Sequence, residues 1–368
     1  MNDSSPLILI GIGTSGVRIA RGVSRAFGAN LRYLLVDTDA VSGQGDGDFT
    51  LLGGDRLSGH GAGGDVVIAR LAAEDSIQLL DRKLEGVRLA VIVTALGGGT
   101  GGGATLETTK RLQALGIPSI VFASTPFAFE GDDRQRNARG IMSMIEDAAN
   151  ATFFLPLDKL VGEMDNMNEA MRYAIDTIAN GVTLFWRLLE HPGYLKMDID
   201  RLRALLAGAG RGRFATITVQ GENRAAEAVD RLVRSELLAV ATSPVRAAVC
   251  GIMAGDDLRL SEVGKIADGI RGAFGNGITF DLGTVNDEET FCGRLSVVVM
   301  LFETASGTGI TDRQTGGVMS GRKSRKARNP LSVGPNGRGR FNNAEPTMWN
   351  GEDLDVPTFI RHNLNLEF

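Results

Sequence analysis

The chain of 368 residues is poor in the side chains that build the commonest catalytic centres. It has three histidines, His60, His191 and His362, scattered along its length. A zinc site or a Ser-His-Asp triad has almost nothing to draw on. Two cysteines, Cys250 and Cys292, both fall in apolar runs, and the pattern predicts two buried free thiols in a reducing compartment. No run of about 18 uncharged apolar residues occurs, so no membrane-spanning helix is expected. Met1–Pro6 is polar and leads straight into an apolar segment, unlike a secretory signal. Ten prolines and no Gly-X-Y period exclude a collagen-like chain. With 43% hydrophobic residues and a net charge of −5, most of the chain can fold.

Glycine is what the chain has in excess, 49 residues, close to twice ordinary usage. Charge is uneven as well. Residues 1–305 carry 30 Lys and Arg against 38 Asp and Glu, while 306–368 carry nine against six. An acidic body with a basic tail argues against a nucleic-acid partner.

Apolar segments at 7–12, 31–36, 88–94, 118–123 and 152–155 read as strands. Helical patterns lie between them, from 17 to 27, about 65 to 84, beyond 97 and from about 134. This alternation predicts an α/β fold with a parallel, doubly wound sheet. Met171, Ile175, Ile178, Val182, Phe185 and Leu189 recur at helical spacing in one stripe over 168–190. Pro192-Gly193 ends that helix. A second unit reads from about 213 to 305, with strands at 214–219, 246–252, 277–281 and 294–302 and helices at 222–237 and 259–274. That is an α+β pattern on a mixed or antiparallel sheet. Residues 306–350 are rich in Gly, Ser, Asn and Arg without apolar periodicity and read as a linker.

Gly11-Ile12-Gly13-Thr14-Ser15-Gly16 follows a strand and opens a helix. Alone it fits a NAD- or FAD-binding turn, with Asp37 or Asp39 for a ribose. Gly97-Gly98-Gly99-Thr100-Gly101-Gly102-Gly103 is sharper. Each glycine costs about 0.5–1 kcal/mol of backbone entropy relative to alanine. The run reads as serving no packing purpose and instead forming a nest of N–H groups for an anion. No Walker lysine follows it. With Gly59–Gly64 as a third loop, the set suits a nucleoside triphosphate better than a dinucleotide.

Gly97–Gly103 resembles the signature loop of the tubulin/FtsZ family of GTPases. Gly13–Gly16 resembles that family's first phosphate loop, Asp37–Ala40 its NTDA segment and Gly61–Asp65 its third loop. Pro126–Gly131 with Arg134 is similar to the bacterial FtsZ pattern PFxFEGxxR. Residues 251–261 and 294–300 resemble its C-terminal domain, and Asp355–Arg361 its terminal peptide. The resemblance covers nearly the whole chain. It implies a Rossmann-like GTPase domain over 1–167, a central helix and inter-subunit catalytic loop over 168–203, and an α+β domain over 204–305. A linker over 306–353 and a partner-binding peptide over 354–368 complete it.

The resemblance implies GTP or GDP as ligand, with Mg2+ beside the phosphates, and head-to-tail self-assembly into protofilaments in the cytoplasm. Gly13, Thr14, Ser15, Gly16, Ala62, Gly63, Gly97, Gly98, Gly99, Thr100 and Gly101 are its implied phosphate residues. Glu130 is implied at the ribose and Arg134 near the phosphates. Asp176 stands where the family reads guanine, whose two donors match a carboxylate. Met171 stands where a base-stacking Phe is common. The implied catalytic acids are Asp198 and Asp200, in a loop completed in the family by the next subunit.

That loop departs from the family's N-x-D-x-x-D. Lys196 replaces the Asn, Asp198 matches the first Asp and Arg201 replaces the second, with Asp200 one residue short. An Arg cannot polarise water as a base. Val17, Arg18 and Leu157 likewise stand where the family has Asn. Slow hydrolysis is therefore expected. A non-polymerising regulator of a standard FtsZ and a Rossmann oxidoreductase are the alternatives. Through Asp355–Arg361 the chain is expected to meet a membrane tether or division proteins at the inner membrane face, with Val356, Phe359 and Ile360 as the docking side chains. Arg322–Arg328, five basic residues in seven, reads as spacer or lipid contact.

Overall fold

The computed structural model describes residues 5–304 except 29, 46, 192, 209, 240–243 and 276, together with 348–349 and 352–353. The linker, the basic run and the terminal peptide otherwise lie outside the described residues. Strands β1 (Leu7–Ile12), β2 (Tyr33–Asp37), β3 (Asp48–Leu51), β4 (Leu89–Ala95), β5 (Ser119–Thr125) and β6 (Ala151–Pro156) come first. They alternate with α1 (Gly13–Phe27), α2 (Gly54–Leu57), α3 (Val66–Ser76), α4 (Gly99–Ala114), α5 (Asp132–Ala148) and α6 (Leu157–Val161). The helices α7 (Met167–Glu190) and α8 (Ile199–Leu206) lead into β7 (Arg211–Gln220), β8 (Val245–Ala254), β9 (Thr279–Asn286) and β10 (Arg294–Glu303). Between these four lie α9 (Arg224–Val233), α10 (Glu236–Ala239), α11 (Leu260–Phe274) and α12 (Glu288–Phe291).

The ten strands form one sheet in the order β3-β2-β1-β4-β5-β6-β7-β10-β8-β9. The first six are parallel, as the unbroken apolar runs require: all six residues of β1 are buried because helices cover both faces. Leu7 and Leu9 join one core and Ile8 and Ile10 the other, the two-residue period of a strand. The last four strands form a mixed patch, with β10 antiparallel to β7 and β8 but β8 parallel to β9. It joins the first part through Thr152↔Arg211 and Phe153↔Gly212.

The helix α7 is the spine. Asn166 caps it by accepting from the amides of Asn168 and Glu169. At 24 residues it is about 36 Å long. Ile178, Val182, Phe185 and Leu189 sit in a core that also holds Val17 of α1, Val249 of β8 and Met300 of β10. The predicted stripe therefore divides: its C-terminal part is core, while Met171 and Ile175 are only half-buried.

Three expectations need correction. Cys292 is exposed, because it ends the one-turn helix α12 rather than entering β10; only Cys250 is buried. The helix read over 65–84 stops at Ser76, whose hydroxyl lies 2.9 Å from Ala72 O and 2.6 Å from Gly53 N, and continues as a 3-10 helix. The short edge strand β3 lies inside residues 43–64, a stretch read from its glycines as loop, and was not expected.

Candidate functional site

Strand order reverses between β1 and β4: from β1 the sheet is extended outward by β2 and β3, and from β4 in the opposite direction by β5 and β6. In an open α/β sheet the crevice outside the carboxyl ends of such strands is where ligands bind. Here β1 runs directly into α1, and β4 reaches α4 after three residues. The two helix starts touch. Gly13 has φ +73°, and a Cβ on it would lie 3.2 Å from Gly101 N. The Thr94 hydroxyl stands 3.1 Å from Ile12 O and 3.0 Å from Gly101 O, tying both turns to the sheet.

Neither helix start is closed by its own sequence. The N-cap residues Ile12 and Gly98 give no side-chain cap, and neither first turn holds an acid. By contrast, α3, α7 and α8 are capped by Asp65, Asn166 and Asp198. Two sets of unsatisfied N–H groups, each at the positive end of a helix dipole, thus converge on one point. This arrangement suits a polyanion.

They open on a cleft of about 460 Å³. Gly13, Thr14, Ser15, Ala62, Gly63 and Gly98 line it, as do Gly99, Thr100, Gly101, Glu130 and Arg134. These eleven predicted residues are therefore brought together. Gly16 and Gly97 are not on the wall. Gly16 lets α1 pack on β4, where a Cβ would collide with Val93 O, and Gly97 has φ +102° with Pro126 and Arg134 around it. His60, Gly61 and Gly64 of the expected third loop also line the cleft, as does Pro126 of the Pro126–Gly131 pattern, whereas Ser124 was not among the expected residues. The rule that ligands meet strand ends would have pointed to Ser124, at the end of β5.

The expectation that Gly97–Gly103 serves no packing purpose is wrong in part. A Cβ on Gly101 would collide with Ala95 O. One on Gly99 would lie 2.7 Å from Asp65 O, and one on Gly103 2.5 Å from Val66 O. These glycines let α4 lie against β4 and the start of α3. Gly98, with open space around its Cβ position, is the one whose missing side chain serves the cleft.

The walls are held by polar contacts. The hydroxyls of Thr38 and Thr100 are 2.7 Å apart. The buried Asp37 accepts from Thr38 N at 2.8 Å and lies 3.3 Å from the Thr14 hydroxyl. Glu130 accepts from Phe127 N at 2.9 Å and pairs with Arg134, so its carboxylate is already oriented. Among the described residues no group of three His, Cys, Asp or Glu forms a protein-only metal cage.

The far end of the cleft is apolar: Met171, Ala174, Ile175 and Ile178 of α7, with Leu157. This is a surface for a flat ring. Asp176 is not on that wall. It is exposed and faces the next groove, between α1 and α7.

Asp198 and Asp200 are also apart from the cleft, by construction. Asp198 caps α8 by accepting from Asp200 N at 2.8 Å. Asp200 pairs with Arg88, which holds its carboxyl below the usual range. Arg88 directly precedes β4, and the glycine loop follows β4's other end. A seven-residue strand spans about 20 Å. The acidic loop and the glycine cleft therefore occupy opposite ends of the same strand and do not meet within one chain. Arg201, beside them, is drawn to Asp281 of β9 at 2.9 Å.

The sequence model of the tubulin/FtsZ family GTPase domain matches residues 6–165, and that of the FtsZ family C-terminal domain matches 210–303. Among solved structures, an empty FtsZ dimer from M. jannaschii is 23% identical, with 82% of this chain and 88% of that one covered and a TM-score of 0.76. CetZ2 from Haloferax volcanii, a GTPγS-bound protofilament, is 23% identical over 82% of this chain and 94% of that one, at TM-score 0.69. TubZ from Clostridium botulinum phage c-st is 14% identical over 82% and 94%, at 0.60.

Proposed function

The chain belongs to the tubulin/FtsZ family, and from that premise we propose that it is a GTP-binding cytoskeletal protein that stacks head to tail into protofilaments and hydrolyses GTP slowly. One observation carries the reading: the anion cleft and the carboxylate loop sit at opposite ends of β4. A second copy stacked along the strand direction brings the loop of one chain over the cleft of the next, and no rearrangement within a chain does so.

In this reading the free N–H groups of α1 and α4 hold the phosphates. Thr14 and Thr100 add hydroxyl donors. The oriented Glu130 carboxylate accepts from the ribose, and Arg134 adds positive charge nearby. The apolar wall of Met171, Ala174 and Ile175 covers a face of the base. A Mg2+ at the phosphates would neutralise part of their charge, and Asp39, one of three carboxylates on the cleft wall with Asp37 and Glu130, could join its waters. Asp198, from the neighbouring copy, orients the attacking water.

Slow turnover follows from the state of the acids. Asp200 is committed to Arg88, and the position where the family carries its second carboxylate is a cation committed to Asp281. Pelleting and right-angle light scattering with GTP or GDP, alongside phosphate release, test the proposal. Expected are GTP-dependent pellets and little phosphate. GTP binding without pellets would overturn assembly and favour a regulator of a standard FtsZ. Absence of GTP binding would overturn the whole reading.

A further inference from the structure

A separate pocket, of about 330 Å³, lies on the face of the sheet away from α7. It opens between α5 and α6 on one side and β7 and α10 on the other. Among the described residues it shares no wall with the nucleotide cleft. Its floor is apolar. Met142 of α5 and Phe154 of β6 stand at the edge of one hydrophobic core, and Leu237 of α10 at the edge of the core of the C-terminal strands. All three are only half-buried. The pocket is therefore a seam where two cores meet without closing. The backbone link beside it is short, the Thr152↔Arg211 and Phe153↔Gly212 pairs between β6 and β7.

The rim is charged, and its charges do not cancel. Arg211 pairs with Glu146 at 2.6 Å and lies over the Phe154 ring at 5.2 Å. Arg213 pairs with Glu303 at 3.0 Å. Lys159 and Glu236 face each other at 3.9 Å. The Gln135 amide is taken as well, donating to Pro126 O at 3.0 Å and Phe127 O at 2.9 Å. Arg139 of α5 is exposed and makes no ion pair among the described residues. An unpaired arginine alone means little in water. At the edge of an apolar pocket it supplies the charge that a ligand's body lacks. One guanidinium matches one carboxylate fork to fork, and a pocket of this volume takes a small ligand.

We propose that this pocket binds a small amphipathic monocarboxylate, its acid group on Arg139 and its apolar body over Met142, Phe154 and Leu237. A polyphosphate does not match the rim, where one cation is free and the others are paired. A bound body covers apolar surface of both cores at once, so occupancy should raise the melting temperature.

The test titrates decanoate, and separately 4-phenylbutyrate, into the full chain saturated with GDP, below the micelle range. At least one of the two should bind at one per chain. Decanoate alone marks a chain-like body, and 4-phenylbutyrate alone a ring. Arg139→Glu, at an exposed position, should keep the ligand-free melting temperature and bind at least tenfold more weakly, the loss of a charge-assisted hydrogen bond. Met142→Trp, which fills the floor, should bind as weakly. Equal binding by wild type and Arg139→Glu overturns the site, as does equal affinity for decyltrimethylammonium, whose head carries the opposite charge. Saturable binding of neither acid overturns it as well. Binding seen only without GDP would place the acid in the nucleotide cleft and overturn the pocket. If GDP itself fails to bind, the proposed function falls, and the dependence of acid binding on Arg139 still decides the pocket.

Discussion

Arg201 Nε lies 2.9 Å from Asp281 Oδ2, an ion pair between the helix after the acidic loop and the strand β9. Asp281 is buried, its side chain 8% exposed, while that of Arg201 is 63% exposed. The pair is thus asymmetric: the arginine can leave for water, but the carboxylate cannot. Arg201→Asp puts two carboxylates together and should cost about 1–3 kcal/mol. Arg201→Asp/Asp281→Asn removes that repulsion and frees an acid in the loop. The double variant should melt near wild type and release phosphate several-fold faster. An unchanged rate in a folded, assembling double variant would count against the loop as the cause of slow turnover.

Asp198 caps α8, and the proposed function gives it a second, catalytic role that can be separated from the first. As the cap of α8 it accepts a backbone N–H, worth about 1 kcal/mol. As a catalytic acid it needs its charge. Asn retains the cap and loses the charge, whereas Ala loses both. Melting temperature should fall for Asp198→Ala and hold for Asp198→Asn. Phosphate release should fall about tenfold in both. Release at the wild-type rate by Asp198→Asn would show that the residue only caps its helix.

The glycines of the signature loop should split by what their Cβ would meet. Gly98 has open space and φ −89°, so Gly98→Ala should fold normally yet weaken GTP binding about tenfold by crowding the cleft, roughly one charged hydrogen bond. Gly101 lies against Ala95 O, and Gly101→Ala should cost about 3 kcal/mol or more by overpacking. Thermal melts with and without GTP check both. Similar melting temperatures for the two variants would contradict the packing argument.

These contrasts mark what the sequence could show. The strands from Leu7 to Ile12 and from Leu89 to Ala95 were legible because burial on both faces demands unbroken apolar runs. The glycine loops were legible as loops, but a glycine does not reveal what its absent side chain would strike. That depends on the approach of α4 to β4 and α3, a tertiary fact. The partners Arg201 and Asp281 are 80 residues apart, and no local pattern links them. Cys292 was misread because its apolar neighbours belong to β10, which begins two residues later. The placement of Asp176 beside the cleft turns on helix rotation, about 100° per residue, which periodicity sets only for the buried face.

The helices over the C-terminal strands, α9 and α11, carry an acid-sensitive lock. The Arg224 guanidinium lies between Glu262 and Asp257, with Nε 2.7 Å from Glu262 Oε1 and Nη1 2.7 Å from Asp257 Oδ2. The side chains of Arg224 and Glu262 are 6% and 12% exposed. Arg224 beside it holds the Glu262 carboxyl below the usual carboxylate range, against the opposing effect of burial. A carboxyl whose folded pKa is depressed contributes stability above its unfolded value and loses it as pH falls through the folded one. Glu262→Gln should therefore cost about 2 kcal/mol near neutrality, a hydrogen bond to a charged partner. The gap between wild type and variant should stay constant down to the ordinary glutamate range and close below it. Denaturant melts from pH 7 to about pH 3 measure that gap. A gap that persists undiminished at the acid end would mean that Glu262 acts by shape and not by charge.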